Sequence, residues 1–262
     1  AVLAVFISGL FLCTGTPFVH GQSGLSELAH RSGMKFGFEI SPENLNEEPF
    51  QQILINEASV GTVTTYWRPG FGIDGGPQTD SFSPDVPATR GVYDFSRPDA
   101  VVQFCQQHGI TTHGHPLIWA KNSFTPDWVV ASPADRAHAL MVNHINTTLE
   151  HFGDKIQTWD VVNEAWSYKG ELKDCYWKDS LGEAYLETAF ATAAAAQPNA
   201  KLRYNDYGLL ETDSRKFDAV VAMIKKFQAN GIRIDGIGWQ GHLTANQILD
   251  PDFPMASRME AI

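Results

Sequence analysis

From about residue 34 onward the chain alternates β-rich runs with helix-forming runs, and this alternation narrows the possible folds more than any other feature. The segments 34–41 (MKFGFEIS), 60–67 (VGTVTTYW), 110–119 (ITTHGHPLIW), 156–162 (IQTWDVV), 201–207 (KLRYNDY) and 233–242 (RIDGIGWQGH) read as strands. In each, β-branched and aromatic residues sit between turn-forming ones. The intervening runs have helical signatures. Residues 47–58 form one. Ser96 is placed to cap the next, with Gly109 as its C′ stop. Ser132-Pro133 opens a third with Pro at the first helical position, followed by Met141, Ile145, Leu149 and Phe152 at helical spacing. Residues 182–197 are rich in strong helix formers, and Phe217, Val220, Val221, Ile224 and Phe227 make an apolar stripe ended by Gly231. A last helix begins in PMASRMEAI, from residue 254.

Strands alternating with helices imply a parallel sheet, either doubly wound or closed into a barrel. A dinucleotide-binding sheet needs G-x-G-x-x-G after its first strand, and GFEISPEN lacks it. In a (β/α)8 barrel, functional groups gather where several strands end. Here polar and aromatic residues cluster at the ends of the third to sixth strands: His115 and Trp119, Asn163 and Glu164, Asn205 to Tyr207, Gln240 and His242. The expectation is an α/β fold, a (β/α)8 TIM barrel with about six of its eight units present in this chain. The long Gly/Pro/Asp/Ser segment 68–91 exceeds a simple connector and reads as functional or mobile.

The first residues differ in kind. An apolar run from Ala1 to Cys13 is too short to span a bilayer, and small and polar residues follow it up to Gly21. Residues 1–21 read as a clipped secretory signal peptide and 22–262 as one catalytic barrel, so the product is expected to be secreted and extracellular. Cleavage there leaves Cys105 and Cys175, too few for a disulfide framework and not assignable as a pair. Asn146-Thr147-Thr148 is a glycosylation sequon, meaningful in a eukaryotic host. A net charge of −11 argues against nucleic acid or an anionic membrane as partner.

The sharpest local question is why the buried-type run Val161-Val162 ends in Asn163-Glu164. A carboxylate there resists burial unless chemistry requires it. No G-x-S-x-G elbow and no P-loop are present. His113 and His115 share a strand face, but no further ligands stand out beside them, so neither a metal nor another cofactor is expected. Amides and tryptophans beside one carboxylic acid suit a sugar, whose hydroxyls bond and whose C–H face stacks. Glycoside hydrolysis needs an acid that stays protonated near neutral pH, through burial or a nearby negative charge. Glu164, between Val162 and Trp166, is suitably placed.

HGHPLIW, WDVVNE, YNDYG and DGIGWQGH occur here in the order, spacing and strand positions of glycoside hydrolase family 10. From about Ser26 to its end the chain resembles that family, whose members are mainly retaining endo-1,4-β-xylanases with a (β/α)8 fold. The four motifs together are specific, whereas Asn-Glu alone is shared by a wider clan of barrel glycosidases. The resemblance implies that Glu164 is the general acid/base and that Asn163 bonds the 2-hydroxyl of the sugar at the cleavage point. It places His115 and Trp119 in that sugar's pocket, Gln240 and His242 beside the nucleophile with His242 hydrogen-bonded to it, and Asn205 and Tyr207 in the same polar network. The substrate it implies is xylan or a related β-glycan. Packing accounts as well for Asn205, Asp206 and Tyr207, and better for Trp166, Trp177 and Tyr168.

The chain also departs from the family. The second catalytic Glu belongs to a Thr-Glu-Leu/Ile-Asp type motif on a seventh strand, and that motif is absent here. Glu260 sits in a helical context and is not that group, so the chain is expected to be an incomplete, inactive copy. Glu39, at the end of the first strand, is the first substitute carboxylate to consider. On the second strand the family's acidic-Asn pair and Met-Lys-Trp are replaced by Thr62, Val63, Thr65, Tyr66 and Trp67, with Tyr66 at the Lys position. Ala120 stands where the family often has a second His. Another β-glycanase of the clan, a cellulase or mannanase, and a non-catalytic sugar-binding barrel are the rival readings.

Overall fold

The computed structural model describes residues 24–68, 72–76, 92–250 and 252–261. The 1–21 leader with Cys13, and most of the 68–91 segment, lie outside the described residues. The strands are β1 (Gly37–Ile40), β2 (Val60–Thr64), β3 (Asp74–Gly76), β4 (Val92–Asp94), β5 (Thr111–His115), β6 (Ile118–Trp119), β7 (Thr158–Asn163), β8 (Lys201–Asp206) and β9 (Gly236–Trp239). The helices are α1 (Leu25–Arg31), α2 (Glu48–Glu57), α3 (Ser96–Gln107), α4 (Asp127–Val130), α5 (Ala137–Phe152), α6 (Tyr176–Leu181), α7 (Ala184–Ala196), α8 (Arg215–Ala229), α9 (Ala245–Leu249) and α10 (Met255–Glu260). None of the described helices is long and apolar enough to cross a membrane.

The main sheet runs β1-β2-β5-β7-β8-β9, every pairing parallel, with β6 also on β7. Strand order follows chain order, so there is no point where the winding reverses, as a doubly wound sheet requires. A parallel sheet wound in one direction curls toward a barrel, and this one is a partial (β/α)8 barrel. β3 and β4 form a separate antiparallel pair. Among the described residues β1 and β9 each have one unpaired edge.

β7 is buried along nearly its whole length, as a central parallel strand must be. Its register with β8 shifts between Asp160 and Val162. Such a bulge changes which side chains face inward just before the strand ends. Trp159 packs where β5 has Gly114, and a Cβ at Gly114 would stand 2.3 Å from the indole ring. On the outside, α5 packs on α7, α7 on β7 and β8, and α3 on β2 and β5. Their apolar stripes include Met141, Ile145, Leu149 and Phe152 of α5, all buried.

Several boundaries differ from expectation. The third strand is interrupted: Pro116, lacking an N–H, separates β5 from β6. The sixth strand is only Gly236–Trp239, so Gln240 and His242 follow it on a loop. Ser96 is the first residue of α3 and does not cap it; Phe95 is the N-cap, and the Asp94 carboxylate accepts from the Ser96 amide at 2.8 Å. Pro133 precedes a short 3-10 turn, Ala134–Arg136, that leads into α5. In α8 Met223, and not Val221, completes the buried stripe. Gly109 and Gly231 do end their helices, with φ of 68° and 69°. Cys105 and Cys175 are buried free thiols, and burial pushes the Cys105 thiol up to about 12.

Candidate active site

The end of β7 carries the functional group. Asn163 is its last residue, and Glu164 turns out of the strand with φ of 58°, the one positive φ outside glycine among the described residues. A side chain in this left-handed region is strained and persists only where its surroundings fix it. Both flanking amides are fixed by β8. Glu164 N–H donates to the Asn205 carbonyl at 2.9 Å, and Ala165 N–H donates to the Tyr204 hydroxyl at 2.9 Å. The Tyr204 hydroxyl donates in turn to Asp206, whose carboxylate is 2.7 Å from the Lys216 ammonium of α8. Asp206 and Lys216 are fully buried. Burial pushes the Asp206 carboxyl up, against the pull of Lys216, and pushes the Lys216 ammonium down.

The Glu164 carboxylate is ringed by donors. Oε1 accepts from Gln240 Nε2 at 3.0 Å, and Oε2 from Trp119 Nε1 at 3.3 Å and Lys173 Nζ at 3.5 Å. Its side chain keeps 15% of its surface exposed, enough for a reactant to reach it. Asn163 is fully buried, and its Oδ1 accepts from Asn205 Nδ2 at 2.9 Å and from Gln240 Nε2 at 3.3 Å. Its own Nδ2 has no partner. A buried donor left open is expensive unless a ligand fills it, and this one adjoins Glu164.

His242 is exposed and meets Gln240 Oε1 at 3.1 Å. Since the Gln240 amide nitrogen already donates to Glu164 and Asn163, His242 Nε2 donates to its oxygen. The Tyr207 ring lies between two cations, Lys216 Nζ at 3.6 Å and Lys173 Nζ at 4.6 Å from its centroid. Trp119 stacks on Phe124, with centroids 3.9 Å apart, and meets the edge of Tyr66 at 5.1 Å. The Tyr66 hydroxyl donates to Glu39 Oε1 at 3.3 Å, as does Thr64 Oγ1 at 3.1 Å. Burial, then the Glu39 and Glu164 carboxylates, raise the Tyr66 hydroxyl far above its ordinary range, so it stays a donor. Trp67 is a core residue, stacked on His144 at 4.0 Å.

His115 faces the Tyr66 and Trp119 edges, but its Nδ1 is held by Asp160 Oδ2 at 2.8 Å, on the inward side of β7. His113 Nε2 lies 2.9 Å from the same oxygen, and His113 Nδ1 is 3.1 Å from the Thr158 carbonyl. Arg203 of β8 donates to Asp160 Oδ1 from Nε and from a terminal nitrogen, at 3.1 and 3.0 Å, and its guanidinium lies 2.7 Å from His113 Nε2. Burial alone would raise the Asp160 carboxyl, yet Arg203 and the two imidazoles hold it well below the usual range. Burial lowers His113. The three donor atoms of His113, His115 and Asp160 lie within 4.8 Å of one another, the spacing of a metal site. Arg203 already supplies the positive partner that such a carboxylate needs, so the cluster reads as a floor that orients His115.

The structure therefore brings Glu164, Asn163, Asn205, Gln240 and Trp119 into direct contact, with His115, Tyr207 and His242 one contact further out. Sequence reasoning missed Asp160, Arg203, Lys173 and Lys216. A charged residue in the middle of a buried strand must be paired, and that signal was available for Asp160 and Arg203, which are register partners on β7 and β8. Trp166 and Trp177 are buried, in line with packing. Tyr168 is not, being half exposed beside Tyr207. A carboxyl group held among donors at the mouth of a parallel barrel, next to an open buried amide, can pass a proton to or from a bound hydroxyl or ether oxygen.

The chain is similar to known proteins. Endo-1,4-beta-xylanase 5 of Pyricularia oryzae is 32% identical over 227 residues, 86% of this chain and 52% of that protein. A beta-1,4-xylanase of Dictyoglomus thermophilum is 40% identical over 155 residues, 58% of this chain and 43% of that protein. The chain thus spans about half the length of these relatives. The crystal structure of native xylanase 10B from Thermotoga maritima superimposes with a TM-score of 0.76 at 27% identity, covering 91% of this chain and 69% of that one. The sequence profile of glycosyl hydrolase family 10 matches residues 24–260, and the chain belongs to that family.

Proposed function

We propose that the protein carrying this chain is a secreted, retaining endo-1,4-β-xylanase that cleaves internal bonds of xylan, with Glu164 as its general acid/base. The observation that carries the reading is Glu164 itself: a carboxylate in a left-handed turn at the barrel mouth, bonded by Trp119 and Gln240, beside the open Asn163 amide. Glu164 gives its proton to the departing glycosidic oxygen and later takes one from the attacking water. Asn163 Nδ2 donates to a hydroxyl of the sugar at the cleavage point. Asn205 and Gln240 orient Asn163, and Gln240 with His242 extends the network toward a nucleophile. Retention needs two carboxyl groups about 5 Å apart. In this reading the second stands on a seventh strand beyond these 262 residues. Residues 1–21 act as the secretion signal and 22–262 as the larger part of the catalytic barrel.

The test compares reducing-end release from xylan, glucomannan and cellulose by the protein with its seventh and eighth strands present. Release chiefly from xylan supports the proposal. Release chiefly from cellulose or glucomannan moves it to another β-glycanase, and no release from any of the three supports a sugar-binding barrel without catalysis.

A further inference from the structure

Along β8 successive side chains point to opposite faces. Arg203 and Asn205 share one face and bond Asp160 and Asn163. Tyr204 and Asp206 share the other, both fully buried, and there the Tyr204 hydroxyl donates to Asp206 Oδ2. Asp206 Oδ1 meets the buried Lys216 ammonium at 2.7 Å and accepts from the Tyr207 amide at 2.9 Å. A buried ion pair is a weak source of stability, since well-packed apolar residues often do as well or better. This one therefore calls for another reason.

The reason lies in what Asp206 does to one hydroxyl. A tyrosine hydroxyl carries a single hydrogen, and its oxygen can also accept. With the hydrogen committed to Asp206, the Tyr204 oxygen is left as an acceptor, and it accepts from the Ala165 amide at 2.9 Å. Burial and the Asp206 charge raise the Tyr204 hydroxyl well above its ordinary range, so it stays protonated. Ala165 follows Glu164, and its own carbonyl accepts from the Lys173 amide at 2.8 Å. Glu164 holds a φ of 58°, a conformation that persists only where its surroundings fix it. One of the bonds that fix it is main chain to main chain, from Glu164 N–H to the Asn205 carbonyl. The other is made by a side chain, the Tyr204 hydroxyl.

Building on the glycanase reading, we propose that Tyr204 is a positioning residue for the general acid/base. Its hydroxyl, oriented by Asp206 and Lys216 on the far face of β8, holds the Glu164 turn so that the carboxyl reaches the departing oxygen. Tyr204 is buried and acts only through Glu164, so its loss costs proton transfer and leaves the rest of catalysis in place.

The test compares wild type, Tyr204→Phe and Tyr185→Phe in the protein with its complete barrel, on xylan and on a dinitrophenyl β-xylobioside, folding being checked by circular dichroism. Tyr185 is the control, because its hydroxyl is equally buried but has no hydrogen-bond partner among the described residues. A misplacement of about 1 Å costs about 10²-fold in rate, so Tyr204→Phe should lower kcat on xylan by roughly 10–100-fold with KM within about twofold. The first step on the dinitrophenyl substrate, whose departing oxygen needs no proton, should stay within about threefold of wild type. Tyr185→Phe should match wild type on both substrates. Should Tyr204→Phe not fold, the isosteric Asp206→Asn, which removes the charge that orients the hydroxyl, is read by the same criteria. Equal losses on the two substrates, a loss carried in KM, the same loss in Tyr185→Phe, or undiminished turnover of xylan overturns the positioning role and leaves the glycanase reading standing. No hydrolysis of xylan by the wild type overturns that reading and the proposal with it.

Discussion

Replacing Lys216 by Met removes the cation from a fully buried ion pair and leaves the Asp206 carboxylate 2.7 Å from where it stood. Asp206 then keeps the Tyr204 hydroxyl and the Tyr207 amide as donors but loses its ion-pair partner, with the Lys173 ammonium left as a weaker positive influence. Breaking a buried pair by removing one partner costs about 3–5 kcal/mol, a large share of a total that is roughly 5–15 kcal/mol for a folded domain. The pH dependence follows from the same pair. Burial raises the Asp206 carboxyl above its ordinary 3.8 even with Lys216 opposing, and without Lys216 it rises further. A carboxyl raised in the folded state destabilises the fold above that raised value, and the penalty disappears as pH falls through it toward the unfolded value. The deficit of Lys216→Met relative to wild type should therefore be largest near neutral pH and shrink on acidification. Urea titrations of both proteins between pH 7 and 5 measure it as a change in midpoint at constant slope. A deficit below about 1 kcal/mol at pH 7, or one that grows in acid, would refute the reasoning, because a cost of several kcal/mol arises only if the pair is dry and charged.

Other outcomes follow from single contacts. His144 is buried, stacked on Trp67, bonded to the Leu117 carbonyl and lowered by burial to about 3, so stability is full above its ordinary 6.5 and is lost as pH falls below it. The slope is about 1.4 kcal/mol per pH unit, and thermal melts at pH 7 and 5 should show it in wild type and not in His144→Gln. Gly114→Ala puts a methyl 2.3 Å from the Trp159 ring and should destabilise the chain by at least about 1–3 kcal/mol in urea. If the protein is the proposed xylanase, Tyr66→Lys should change the pattern of oligosaccharide products more than the rate on a short aryl glycoside. Identical product patterns would remove the second strand from control of that subsite.

The barrel was legible because each strand is a dense β-branched or aromatic run and because glycines at 109 and 231 stop helices where only a positive φ fits. Asn163-Glu164 was legible because an acid placed directly after Val161-Val162 needs a reason. Gln240 and Trp119 were found through the motifs that contain them, and the structure gives both a bond to Glu164. What stayed hidden depends on contacts between distant segments. Lys216 lies in SRKFDA, which reads as a solvated helix start, and only the folded chain brings it, buried, onto Asp206 at the end of β8. Arg203 and Asp160 become partners through the parallel register of β7 on β8, which neither segment shows by itself. Tyr168 reads as loop packing until Gly208 is seen beneath its ring. Ser96 misled because the carboxylate of Asp94, two residues earlier, takes the amide bond expected of a cap.

The most direct measurement of the central claim is the leaving-group dependence of Glu164→Ala in the protein with its complete barrel. Hydrolysis of xylan, whose departing oxygen needs a proton, should fall by about 10²–10⁴-fold. Hydrolysis of a dinitrophenyl β-xylobioside, whose departing oxygen needs none, should lose far less in its first step, and added azide should restore turnover by replacing the water that Glu164 no longer activates. Equal losses on both substrates with no azide rescue, or near-normal activity on xylan, would contradict the assignment of Glu164 as the general acid/base.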